Sequence, residues 1–315
     1  MTFNCDDIKT PRSPCALALG TFDGVHIGHA KVIGEAVSAA SESGLASRVL
    51  TFPDLPGDFI ETRARAPRIM SNALRERAIY ACGAGEICYF DLKNGGFEYT
   101  PERFVDEVLI GKLNAKRVFC GFNYRFGRGG SAGPDELGEL LRERGAELTV
   151  IPPVALDGEP VSSSRIRRLI AEGDVANAAR SLGRPFSTDL PVERGHQIGR
   201  RIGFPTINNR FPQGRLIPAF GVYATRSVFG GVRHDSVTNV GTRPTVGGQE
   251  VTEETHIFGV DEDLYGRVVE VEYVARIRGE VYFENLEDLR DQIARDKEAA
   301  RKILSDFGKS DFNDD

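Results

Sequence analysis

Residues 15–43 read CALALGTFDGVHIGHAKVIGEAVSAASES: an apolar run, a glycine-bracketed turn and a helical stripe. The run Cys15–Gly20 suits a buried strand, and Ala30–Ser43 carries Val32, Ile33, Ala36, Val37 and Ala40 at helical spacing. Between them, Gly24 and Gly28 permit a tight turn and close approach of the backbone. The helix that follows starts with unpaired N–H groups directed outward, which suits an anion. His26 and His29 stand beside that start, placed to donate to phosphate oxygens and to stabilise a departing pyrophosphate. An ordinary strand-to-helix turn with two surface histidines would read the same way. Two of only five histidines in one such turn favour phosphate handling.

Working outward, apolar runs at Arg48–Phe52, Glu86–Phe90, Lys116–Gly121 and Glu147–Pro152 alternate with helical patterns at Pro101–Leu113 and Pro134–Arg144. Strand and helix in alternation predict a parallel α/β sheet covered on both faces. A helical stretch over Ser163–Ser181 follows, and the pattern changes near Gly183–Thr188. Beyond it, β-rich runs at Gly221–Ser227, Arg233–Asn239, His256–Val260 and Val268–Ile277 are punctuated by Gly and Pro, which predicts a barrel or sandwich. Asn285–Leu304 closes as a helix, and Lys309–Asp315 reads as a frayed tail. The boundary belongs near residue 185, dividing the chain into 1–184 and 185–315.

The 315 residues suffice for two cores, and 40% hydrophobic with 27% charged residues is a globular composition. A net charge of −6 argues against nucleic acid as the main partner. No apolar run approaches membrane-spanning length and no secretory pattern opens the chain, so no membrane association and a cytoplasmic location are expected. Five cysteines, with no CxxC pair, give neither a zinc site nor a disulfide framework. A homo-oligomer is left open.

Three further clusters carry chemistry. Val161–Arg167 (VSSSRIR) sets three hydroxyls and two arginines at a helix start, a phosphate cradle or simply a serine cap with solvated arginines. Gly195–Asn208 (GHQIGRRIGFPTIN) is glycine-rich at 195, 199 and 203 and offers oxygen ligands at Thr206 and Asn208. Alone it also reads as a glycine turn leading into an edge strand. Glu254 in EETHIFGV sits in an alternating strand, either on a solvated face or able to take a proton from a substrate hydroxyl. Gly127–Ala132 and Gly308–Ser310 imitate dinucleotide and P-loop glycines, but each lies in the wrong place along its fold.

GTFDGVHIGH, then GFNYRFGRGGSAG (121–133) and VSSSRIR, resemble the adenylyltransferase module of prokaryotic bifunctional riboflavin kinase/FAD synthetases. GFPTIN is similar to the Gly-Phe-Pro-Thr-Ala-Asn signature of the same family's flavokinase, with Ile207 in place of alanine. IPAFGVYA (217–224), NVGTRPTV (239–246), ETHI (254–257) and DLYG (263–266) follow in the family's order. The resemblance implies a doubly wound α/β nucleotidyltransferase domain followed by a six-stranded flavokinase barrel with a C-terminal helix. It implies ATP, riboflavin and FMN as ligands, and Mg2+ as the cofactor. Nucleotide and phosphate contacts would come from Gly20, Phe22, Gly24, His26, Gly28, His29, Asn123, Ser162, Ser163, Ser164, Arg167, Gly195, Gly199 and Gly203. Thr206 and Asn208 would hold the metal, and Glu254 would be the general base.

One departure matters. The family's aromatic–acid–Pro–His–Pro string is here Phe52-Pro53-Asp54-Leu55-Pro56, with Leu55 where a histidine is expected. Ser164 stands for a threonine and keeps the hydroxyl. Three readings follow: FMN and FAD synthesis together, a riboflavin kinase with weakened adenylylation, and a flavin-binding protein without turnover.

Overall fold

The structure is a computed structural model that describes residues 1–59, 65–93, 95–195, 199, 203–245 and 248–310. Parts of the glycine-rich segment, His196–Ile198 and Arg200–Ile202, lie outside the described residues, as do Val246 and the end of the expected tail. Two compact units are present, one from Met1–Arg68 and Asn72–Ser163, the other from Ile69–Ser71 and Ser164–Asp315.

The first unit is built on a six-stranded parallel sheet. Its strands are β1 (Thr2–Asn4), β2 (Cys15–Leu19), β3 (Ala46–Thr51), β4 (Glu86–Tyr89), β5 (Ala115–Gly121) and β6 (Glu147–Ile151). They lie side by side in the order β1-β4-β3-β2-β5-β6. All five residues of β2 are buried, as a central parallel strand requires, which is why it reads as a continuous apolar run. Helix α1 (Ile27–Ser43) begins one turn before the apolar stripe and ends on Gly44 in the left-handed conformation that stops helices. One core joins Leu17, Leu19, Leu50 and Val118 of the sheet to Val105, Val108 and Leu109 of the 101–112 helical segment. Each such burial is worth roughly 2 kcal/mol.

The chain runs from β2 to β3 and β4 on one side of the sheet, then returns to add β5 and β6 on the other. The order therefore reverses between β2 and β5. Loops leaving the carboxyl ends of those two strands face a crevice that open α/β sheets use for ligands. The turn with His26 and His29 follows β2, and the turn with Asn123 follows β5.

Strands β7 (Ala155–Leu156) and β8 (Glu159–Pro160) form a small two-stranded sheet. In the second unit, β9 (Phe186–Pro191), β10 (Ile207–Arg210), β11 (Gly221–Phe229), β12 (Val232–Thr245), β13 (Gly248–Ile257) and β14 (Val268–Arg278) are antiparallel and run in the order β10-β13-β12-β11-β14-β9. The sheet curls until its two edges meet. Asn209 Nδ2 donates to the carbonyls of Leu190 (3.0 Å) and Pro191 (2.9 Å), and Glu193 N–H to Asn208 O at 2.7 Å. Inside the curl lies a chain of wholly buried hydroxyls, Ser227, Ser236, Thr225, Thr238 and Thr255, spaced at 2.8–3.0 Å. On the other face, Val222, Ala224, Val237 and Val274 pack against Ala300 and Leu304 of the terminal helix Leu286–Ser310.

Three expectations needed correction. The 163–181 stretch is two helices, Ser163–Glu172 and Val175–Leu182, broken where Gly173 takes a φ of +85°. The run expected at His256–Val260 belongs to β13, which ends at Ile257 and starts far earlier at Gly248. The terminal helix extends through Ser310, so Lys309 is helical. Among the described residues, no helix is long and apolar enough to cross a membrane.

Candidate active sites

In the first unit the turn after β2 is strained in a way its sequence did not announce. Phe22 and Val25 take positive φ values of 50° and 39°, rare for side chains of that bulk and a mark of functional loops. Gly24 takes the sharpest turn at +90°. His26 is the N-cap of α1, its Nδ1 accepting the N–H of His29 at 3.2 Å. That acceptance fixes the tautomer and puts the ring proton on Nε2. The two imidazoles stack at 3.6 Å, and the Phe22 ring meets His29 edge-on at 5.3 Å. Gly28 is what lets His26 fold back: a Cβ there would lie 3.2 Å from the imidazole. Gly20 is likewise overlain by Phe22, whose ring would sit 2.8 Å from an added Cβ.

Ser163 donates its hydroxyl to the backbone carbonyl of Asp23 at 2.8 Å, lashing the start of the Ser163–Glu172 helix to this turn. Ser162 is half-buried beside it. Ser164 and Arg167 follow on the same helix but fall in the second unit.

Asn123 is exposed in the turn after β5, where Tyr124 N–H bonds back to Gly121 O at 3.0 Å. Immediately beyond it, Tyr124 and Phe126 join Phe52, Phe90, Phe97 and Tyr99 around a cavity of about 350 Å³. Burial pushes the Tyr124 phenol well above its ordinary range, so it is a neutral wall. Gly127, Gly129 and Gly130 also line the cavity. The 121–133 motif alone does not reveal this aromatic chamber, because its walls come from four separate segments. Leu55 is buried in the turn after β3, next to the lining residues Pro56 and Gly57.

In the second unit the expected residues converge more tightly. Asn208 of β10 and Glu254 of β13 are direct cross-strand partners, and Asn239 of β12 stands opposite Glu254 on its other side. Directly opposed residues in an antiparallel pair share a face, so three polar side chains lie abreast on three strands. Glu254, Asn239, Thr206 and Gly199 line one cavity of about 280 Å³, closed by Leu289 and Ile293 of the terminal helix. Arg278 at its wall is clamped by Asp296 through Nε (3.0 Å) and Nη2 (2.7 Å). Asn239 and Arg278 were not anticipated as site residues; only the strand register shows that they share this face.

The glycines of this segment have a specific use. A Cβ on Gly195 would lie 2.6 Å from the Asn208 amide, and one on Gly199 would lie 3.3 Å from Thr206 Oγ1. Backbone thus passes directly over both side chains. Gly203 turns the chain at a φ of +87° with open space around it. Two neutral oxygen donors under a backbone-rich cover fit a hard divalent cation that also carries phosphates.

The sequence comparisons agree with this geometry. The FAD synthetase family model matches residues 8–165, and the riboflavin kinase family model matches residues 182–304. The bifunctional riboflavin kinase/FMN adenylyltransferase of Bacillus subtilis is 32% identical over 307 residues, covering 96% of each chain. The protein of the same name from Escherichia coli K12 is 32% identical, covering 94% of this chain and 95% of its own. A crystal structure described as a macrolide-efflux protein from Streptococcus pneumoniae superposes with a TM-score of 0.85 at 31% identity, over 95% of this chain and 98% of that one. With both halves matched in order over nearly its whole length, the chain belongs to the bifunctional riboflavin kinase/FMN adenylyltransferase family.

Proposed function

We propose that the chain makes FMN from riboflavin in its second half and FAD from FMN in its first, consuming one ATP in each step. The functional division is placed after residue 184, two residues past the start of the range matched by the riboflavin kinase model at residue 182, giving 1–184 and 185–315. The observation that carries the kinase assignment is that Glu254 and Asn239 line one cavity with Thr206, with Asn208 directly opposite Glu254 on the next strand.

In the kinase half, Glu254 accepts the proton of the riboflavin 5′-hydroxyl as that oxygen bonds to the γ-phosphorus of ATP, and the bond to the β-phosphate oxygen breaks. FMN and ADP leave. Thr206 and Asn208 would hold Mg2+, which supplies charge neutralisation at the ATP phosphates. Gly195 and Gly199 keep the backbone close enough to cover those two ligands, and Gly203 turns the chain into them.

In the adenylyltransferase half, an FMN phosphate oxygen attacks the α-phosphorus of ATP and pyrophosphate departs, giving FAD. No protein nucleophile is needed, so the chain contributes positioning and fixed donors. The Nε2 proton of His26, the imidazole of His29 and the N–H groups of the Gly20–Gly28 turn face the phosphates. Ser162 adds a hydroxyl donor and Ser163 holds the turn through Asp23, while Ser164 and Arg167 are assigned to the phosphates by the family resemblance alone. The aromatic chamber beyond Asn123 suits the flavin ring, since it offers flat apolar walls of matching size. A net charge of −6 supports small nucleotides rather than nucleic acid as partners, in the cytoplasm, with a homo-oligomer left open.

Leu55 favours a second reading, a kinase with slowed adenylylation, because a buried apolar side chain stands where the family resemblance implies a histidine at the phosphates. Riboflavin with MgATP, followed by product chromatography, tests both. FMN followed by FAD supports the full reading; FMN alone, even with FMN and MgATP supplied, supports the second. Neither product defeats both.

A further inference from the structure

His256 lies two residues beyond Glu254 on β13, so both side chains point to the same face and line the same cavity. Its ring is 7% exposed, and Nδ1 lies 2.8 Å from the backbone carbonyl of Pro205. A carbonyl only accepts, so Nδ1 carries the proton and Nε2 holds the lone pair. Burial lowers the imidazole pKa, with Lys297 and Arg301 on the terminal helix adding to it against the raising effect of the Pro205 carbonyl. The Phe204 ring meets the imidazole edge-on at 5.5 Å, and Phe258 flanks it at 5.7 Å. Lys297 Nζ lies over both phenyl rings, at 5.7 and 5.4 Å.

The residue held by this imidazole is the one immediately before Thr206. Phe204 N–H in turn bonds to Gly199 O at 2.8 Å, so the turn that presents Thr206 is pinned at two successive residues. Only after Ile207 does the β10–β13 ladder take over, with Ile207 opposite Thr255. Thr206 itself lies ahead of that ladder and depends on the turn for its position.

We propose that His256 is a positioning residue of the kinase half, its Nδ1–H clamping Pro205 so that the Thr206 hydroxyl is held in the cavity opposite Glu254. This deepens the kinase assignment and rests on it. The imidazole touches no reacting atom. It ties the ligand-bearing turn to the strand that carries the base, so that the two cannot drift apart.

The test compares His256→Asn, whose amide N–H can occupy the Nδ1 position, with His256→Phe, which keeps the ring volume and loses the donor, in the full chain. Adenylylation of supplied FMN serves as the internal control for folding. The Phe variant is expected to lower kcat for FMN formation about 10- to 100-fold, as loss of an orienting partner behind a ligand does, with KM for riboflavin little changed. The Asn variant is expected to recover most of that loss. Amide hydrogen exchange across residues 203–208 should rise in the Phe variant and not in the Asn variant. This readout needs no turnover, so it tests the clamp even where no FMN is made and the kinase assignment itself fails. Wild-type kcat and exchange in the Phe variant overturn the proposal, and so does an Asn variant as impaired as Phe. If the Phe variant does not accumulate, His256→Gln replaces it, since its amide reaches the Nε2 position and leaves the Nδ1 position empty; equal behaviour of Gln and Asn then overturns the clamp.

Discussion

Asn208 and Glu254 face each other across adjacent antiparallel strands; under the proposed kinase assignment the first would offer an oxygen to a cation and the second would accept a proton. Their spacing is set by backbone ladder bonds rather than by loop geometry. Asn208 is pinned on its other side as well, through the bridge to Glu193. Rigid placement of this kind is what lets a carboxylate meet a substrate hydroxyl without reorganisation.

Glu254→Gln removes the proton acceptor while keeping the shape of the side chain. FMN formation should fall about 10²- to 10⁴-fold, the usual worth of a positioned general base. FAD formation from supplied FMN should be unchanged. Parallel rate measurements with riboflavin and with FMN check this, and equal loss of both activities would remove the separation of roles.

His29→Ala should act on the opposite activity. Loss of one donor at a departing pyrophosphate costs about 10²- to 10³-fold in rate. FAD formation should drop accordingly while FMN formation continues. An unaltered FAD yield would take His29 out of the mechanism.

Gly195→Ala places a methyl group 2.6 Å from the Asn208 amide, closer than carbon atoms tolerate. Asn208 must turn away, and the Mg2+ concentration giving half-maximal FMN formation should rise about 10- to 100-fold. Magnesium titration of the kinase step gives the answer, with adenylylation again as the control. A variant with the wild-type magnesium requirement contradicts the cover assigned to this glycine.

Glu253 gives the barrel a pH dependence. Its side chain is wholly buried, its Oε1 accepting from Thr188 at 2.7 Å and from the Tyr273 hydroxyl. Burial raises its pKa from 4.5 to about 7. The folded state therefore holds this proton where the unfolded chain has released it. Stability from this group is full below about pH 4.5 and is lost as pH rises through about 7. The shift corresponds to on the order of 3 kcal/mol. Glu253→Gln stays neutral throughout, so it should gain about that much relative to wild type between pH 5 and 8. Urea unfolding of both proteins at the two pH values measures the difference, and parallel curves would show that Glu253 stays ionised.

The parts of the fold that were legible in the sequence are those where one physical rule acts alone. Strand β2 and helix α1 were readable because a buried parallel strand is continuously apolar and a packed helix repeats at 3.6 residues. The helix Asn72–Ala81 escaped notice because its buried face includes Arg75, which donates to the carbonyls of Thr21 and Phe52 and breaks the apolar stripe. Strand β13 was misplaced for a related reason. Its EVTEETH looks like a solvated strand, yet Glu253 points into the barrel and Glu254 into the cavity. Glu254 itself reads as part of a strand, but polar residues on both faces hide where that strand starts. Thr206, Asn208 and Glu254 are assigned by motif resemblance, and the structure sets Asn208 opposite Glu254 and lines one cavity with Thr206 and Glu254. Asn239 and His256 are not assigned in this way, since their importance comes from strand register and from one hydrogen bond to a backbone carbonyl.

The hydroxyl chain inside the barrel has a consequence for how the second half finds its fold. An apolar interior tolerates many pairings, because one greasy side chain replaces another. Five buried hydroxyls on β11, β12 and β13 satisfy each other in the observed alignment, and a slip of one strand by one residue turns its own hydroxyls to the other face and leaves their partners unpaired. The strand that carries Glu254 is thereby proofread from behind, by residues that never meet a substrate.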